Sequence, residues 1–162
     1  MNTARNSQKG FGMVEIIVGA ALILVIGGAA VTAWTQYLQV TTRSTDLTKA
    51  ALLTDEAGEA LVMWRDIGWT SEIAARTIGT TYYLSWNGTS YSLGTTAVAF
   101  QDGYAVKLIM SAVSRDGSSN VVTSGGTVDA NTRKVQINVV PITATSTVIS
   151  TSELLLHNVY SN

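Results

Sequence analysis

Phe11-Gly12-Met13-Val14-Glu15, followed by Ile16–Trp34, reading IIVGAALILVIGGAAVTAW, decides how this chain is organised. Only Thr32 is conventionally polar in that second stretch of 19 residues, and the uncharged run continues to Thr42, 27 residues in all. At about 1.5 Å per residue, such a stretch in helical form spans a hydrocarbon core of roughly 30 Å. It therefore reads as a membrane-crossing helix. Ahead of it, MNTARNSQKG carries Arg5 and Lys9 and no acid. Basic residues are held on the cytoplasmic side, which sends the remainder of the chain outward. A secretory signal is cut after its apolar run, whereas here the small-residue cleavage context, Lys9-Gly10-Phe11, comes before it.

Glu15 breaks the apolar pattern at the cytoplasmic start of the helix. A carboxylate in hydrocarbon costs about 3 kcal/mol or more, so it asks for a partner. Cleavage between Gly10 and Phe11 would create one, because the new α-amino group of Phe11 lies about one helical turn away. The same amine on a neighbouring subunit could meet Glu15 across an assembly interface. The competing reading is a helix N-terminal acid favoured by the macrodipole.

These residues resemble the prepilin signal of the type IV pilin and pseudopilin family: a short basic leader ending in Lys9-Gly10, then Phe11-x-x-x-Glu15, then about twenty apolar residues. The match is strong over the N-terminal region and rests on layout alone beyond it. The resemblance implies removal of leader 1–10 by a prepilin peptidase, N-methylation of Phe11, and assembly from the bacterial inner membrane into a filament. It also implies pairing of Glu15 with the amine of an adjoining subunit. Gly12 replaces the usual Thr after Phe11, and the Pro common further along the family's helix is absent. Gly27-Gly28 offers either local softness or a surface for close helix packing.

Beyond Thr32 the pattern turns amphipathic. Leu47, Ala50, Leu53, Ala57, Ala60, Leu61 and Trp64 fall on one side at 3.6 residues per turn, with Asp55, Glu56, Glu59 and Asp66 outside it. The spacing predicts a helix continuing to about Asp66, so that 11–34 is the membrane or filament-core segment and 35–66 its amphipathic continuation. Leu52 and Met63 sit among the acids, as filament contacts or as ordinary exposed apolar residues. A coiled coil would need a longer and less Ala-rich apolar repeat.

Residues 67–162 read as an antiparallel head. Asn87-Gly88 predicts a two-residue type I′ turn, which would set Leu84 opposite Tyr91 and Tyr82 opposite Leu93 on one face. Strands are expected over Tyr104–Ser114, with Val106, Leu108, Met110 and Ala112 on the same face as Tyr104. Further strands are expected through Val135, Ile137 and Val139 before Pro141, and from about Val148 to Leu156. Asp102-Gly103 and Asp116-Gly117 mark turns, and Gly125-Gly126 a longer loop between about Arg115 and Arg133. The fold class is α+β, with a long N-terminal helix packed on an antiparallel sheet in a pilin-like layout.

Composition narrows the chemistry. The chain has 162 residues, ten Lys plus Arg against eleven Asp plus Glu, one His and no Cys. Near-neutral charge leaves no bulk basic surface for polyanions, and the Cys count excludes disulfide staples and thiol nucleophiles. No enzyme constellation is legible around His157, and no cofactor or metal is called for. Asp102, Asp116 and Asp129 lack the interleaved spacing of a calcium loop and read as turn residues. Asn87-Gly88-Thr89 matches a glycosylation pattern that the hairpin turn already explains. Tyr82, Tyr83, Trp86, Tyr91 and Tyr104 read as half-buried strand aromatics rather than a stacking platform. Contact of DNA with Lys107, Arg115, Arg133 and Lys134 has no support in the spacing.

The expected function is that of a structural subunit of a type IV pilus-like filament, minor rather than major. Its implied partners are other pilin or pseudopilin subunits, the prepilin peptidase, the inner-membrane assembly platform and, before assembly, membrane lipid. The alternatives are a pseudopilin of a type II secretion system and an uncleaved membrane-anchored binding domain. The expected location is a single pass of the inner membrane with the head outside, then a cell-surface or periplasmic filament.

Overall fold

A computed structural model describes residues 12–160. The first element, α1, runs Met13–Gly68, and the chain divides into two compact units between Ser44 and Thr45, inside that helix.

In the first unit, Ala, Leu, Ile and Val dominate and no Pro interrupts the helix, which passes through Gly27-Gly28 unbroken. The threonine hydroxyls are satisfied within the helix. Thr32 Oγ1 donates to the Gly28 carbonyl at 2.9 Å, and Thr41 and Thr42 do the same to Tyr37 and Leu38. This back-bonding lets Thr sit in an apolar helix without a water partner. An 18-residue window here has a mean hydropathy of 2.5 and none of it is buried, so the helix is long and apolar enough to cross a membrane.

In the second unit, Ala50, Leu53, Ala57, Ala60, Leu61 and Trp64 are all buried against the sheet. Leu47 is not: it is 47% exposed, because the covered helical face begins only at Ala50. Leu52 is also exposed, at 65%. The helix outlasts Asp66. It reaches Gly68, whose backbone is extended, and a π-helical turn, Trp69–Ala74, follows and buries Trp69 and Ile73.

Six antiparallel strands make one open sheet: β1 Thr81–Trp86, β2 Tyr91–Gly94, β3 Tyr104–Arg115, β4 Val121–Val122, β5 Thr127–Pro141 and β6 Ser150–His157. Their order is β2-β1-β3-β5-β6, with β4 on the far end of β3. Cross-strand pairs Leu84 with Val106, Val106 with Val139, Leu108 with Ile137, and Met110 with Val135. All are buried in the core that contains the helix face, and each fully buried side chain of this size contributes roughly 1.5–3 kcal/mol.

Three local expectations are corrected. The hairpin register pairs Leu84 with Leu93 and Trp86 with Tyr91, leaving Asn87 to Ser90 as a four-residue loop. Asn87 Oδ1 accepts from the amides of Thr89 and Ser90, both at 2.9 Å, which favours this wider turn over the two-residue one. A displacement by two residues preserves side-chain parity, so the predicted face survives. Ala112 is exposed because the β3–β5 register shifts between Ala112 and Val113, and Val113 is buried instead. The expected loop between Arg115 and Arg133 is about half strand: β4 lies within it, β5 begins at Thr127, and Val113, Ser114 and Arg115 pair with Asp129, Val128 and Thr127. Gly125 and Gly126 turn that corner at φ +72° and +76°, and a Cβ on Gly126 would stand 2.4 Å from the Arg115 carbonyl oxygen.

Candidate functional site

Glu15 lies in the first turn of α1, exposed, with its amide donating to the Gly12 carbonyl at 2.9 Å. It makes no ion pair among the described residues. Lys9, Gly10 and Phe11, where cleavage, methylation and pairing with Glu15 are expected, lie outside the described residues.

The three turn aspartates do not converge. Asp102 pairs with Lys49 at 3.0 Å from a left-handed turn position, φ 49°. Asp116 caps its own turn, accepting from the amides of Asn120 and Ser118, and those bonds hold its carboxyl below the ordinary value. Asp129 sits elsewhere, on β5. No group of three His, Cys, Asp or Glu among the described residues could hold a metal ion.

The aromatic residues separate in the same way. Tyr82 and Tyr104 are core residues, Tyr83 shares the opposite sheet face with Lys107, and Trp86 packs tilted against Tyr91 with ring centroids 4.6 Å apart. Two of the phenols tie the sheet to the helix: Tyr104 donates to Asp46 at 2.7 Å and Tyr91 to Glu56 at 3.0 Å. The bond to Asp46 raises the Tyr104 hydroxyl pKa, and burial followed by the Glu56 bond raises that of Tyr91. Arg115 is answered by Asp129, Lys134 by Glu153, and Arg133 Nη1 lies against the carbonyls of Asp129, Ala130 and Thr132.

No protein-family model, curated protein or solved structure matches this chain. Its chemistry is therefore read from its own geometry.

A polar cluster joins β3, β5 and β6. Arg115 Nε meets Asp129 Oδ2 at 2.7 Å, Thr132 Oγ1 meets the same oxygen at 2.6 Å, and His157 Nδ1 stands 3.1 Å from Thr132 Oγ1. A hydroxyl has one proton, and the shortest contact assigns it to Asp129, so Thr132 accepts from Arg115 Nη2 and from an Nδ1–H of His157. Thr132 is 2% exposed. The cluster is an acid-sensitive clamp on the β3–β5 hairpin.

The Thr132 hydroxyl, then Arg115, lower the Asp129 pKa from 3.8 to about 2. A folded pKa below the unfolded one stabilises the fold above about pH 4, and this contribution disappears as pH falls through 2. With its side chain 17% exposed, Asp129 is expected to contribute about 2 kcal/mol at neutral pH. Urea unfolding in detergent micelles at pH 7 and pH 2 checks this: Asp129→Asn should lower stability at pH 7 and make little difference at pH 2. An equal loss at both pH values would remove the ionic origin.

Proposed function

We propose that this chain is a non-enzymatic structural subunit of a type IV pilus-like filament, a minor pilin processed after Gly10. The observation that carries the reading is a solitary acid, Glu15, opening a 27-residue uncharged run whose side chains are exposed along α1. A helix needing only to anchor a head gains little from that acid, whereas a helix moving from lipid into a bundle of copies has a use for both features. In lipid the apolar side chains meet hydrocarbon; in the filament they meet other helices, and Glu15 answers the Phe11 ammonium of a neighbour. The head then stays outside the inner membrane, and the peptidase and an assembly platform are its transient partners.

Mass spectrometry of the N-terminus tests this directly. Protein from membranes and from sheared filaments is expected to begin at N-methylated Phe11. An intact Met1 in both fractions overturns the reading and favours an uncleaved anchor. Methylated Phe11 confined to membranes points instead to a secretion pseudopilin.

A further inference from the structure

Strand β6 is one free edge of the sheet, with β5 its single neighbour. The amide of Asn158 donates to Asn131, in register with the Thr132–His157 pair. Antiparallel hydrogen bonding alternates along a strand, so the N–H and C=O groups of Thr151, Glu153 and Leu155 point away from β5. No backbone partner meets them among the described residues. The edge carries none of the usual protections: no Pro, no bulge in its pairing with β5, and a single acid.

Beside this edge lies a groove of about 400 Å³ between β6 and α1. Ile137, Leu154 and Gly58 line it, and Asp55 and Glu59 flank it with carboxylates, whereas Glu153 turns its side chain to Lys134 on the other face of the sheet. Gly58 is the unexpected residue. Glycine in a helix interior is destabilising relative to alanine, and a Cβ there would meet nothing within 4 Å. Packing within the head therefore does not account for the missing side chain, whereas a guest lying over the helix would.

We infer that the β6 edge and this groove take up an extended segment of a partner protein bearing Lys or Arg on alternate residues. Its backbone continues the sheet by pairing with Thr151, Glu153 and Leu155. Its side chains facing α1 pass over Gly58 and bring their cations to Asp55 and Glu59. Charge complementarity selects the basic guest: neither Asp55 nor Glu59 has an ion-pair partner among the described residues. This inference does not depend on the filament reading.

Hydrogen exchange of the full chain in detergent micelles tests it, using an eight-residue peptide of alternating Thr and Lys and its Thr-Glu counterpart as probes. The Lys peptide is expected to slow exchange at Thr151, Glu153 and Leu155 at least tenfold, and the Glu peptide to leave it unchanged. Gly58→Leu fills the groove and should abolish the protection without lowering the unfolding midpoint. Asp55→Lys combined with Glu59→Lys should weaken binding at least tenfold. Absence of slowing at saturating Lys peptide overturns the proposal, as does protection that survives Gly58→Leu. Protection that rises with protein concentration in the absence of peptide also overturns it, because a second copy then owns the edge.

Discussion

Leu61→Ala is expected to lower the stability of the head by about 3 kcal/mol, within the range for truncating a buried leucine. Leu61 is fully buried in the cluster that joins the helix face to Val106, Leu108 and Ile137. The loss has two parts: apolar area returned to water, and a cavity that a packed sheet cannot close. Against a total of roughly 5–15 kcal/mol for a domain, one such change moves the melting midpoint by about 10–15 °C. Leu52→Ala is the matched control. The same side chain nine residues earlier is 65% exposed, and its removal should change stability by under about 0.5 kcal/mol. Thermal unfolding of both variants in micelles decides the matter, and equal effects would mean that the buried face of α1 is misassigned.

Much of the head was readable from periodicity. Ala50, Leu53, Ala57, Ala60, Leu61 and Trp64 recur at helical spacing and are all buried, because a helix presents one stripe wherever something covers it. Leu47 continues that stripe in sequence and stays exposed; where the sheet stops covering the helix is a tertiary fact that no local pattern encodes. Asn87-Gly88 correctly marked a turn, but the register depended on whether Asn87 would spend its side chain on the backbone of Thr89 and Ser90. The first part of β5, Thr127 to Asn131, alternates the wrong way round for a core strand: Val128 and Ala130 are exposed while Asp129 and Asn131 are half-buried. It is strand because Gly125-Gly126 folds it back on β3 and Asp129 finds Arg115.

The polar cluster shows the same limit. Arg115, Asp129, Thr132 and His157 span three strands, and only the Thr132–His157 register brings the last of them in. Read singly, Asp129 was a turn residue, His157 an isolated base and Arg115 one of several scattered cations. Their common feature is a location that emerges only when β3, β5 and β6 are paired.

Glu15→Ala is expected to reduce filament-associated protein by two to three powers of ten while leaving the processed form in the membrane. In lipid, before assembly, losing a carboxylate from the start of the helix costs nothing and should ease insertion. In a filament the change strands the ammonium of Phe11 inside a helix bundle with no anion to meet it. Breaking one side of a buried pair costs about 3–5 kcal/mol, and about 1.4 kcal/mol corresponds to each tenfold change in equilibrium. Glu15→Gln separates charge from size, since it keeps the side chain's volume and hydrogen bonding but supplies no counter-charge. It should behave like the alanine variant if the pair is ionic, and like the parent if shape alone matters. The helix-dipole reading of Glu15 makes a different forecast: an exposed acid in a first turn contributes about 0.3–1 kcal/mol, so either change would cost filament incorporation less than about tenfold. Quantifying Phe11-terminated chain in sheared filaments and in membranes, for parent and both variants, distinguishes the two, and normal incorporation of Glu15→Ala would remove the pairing role altogether.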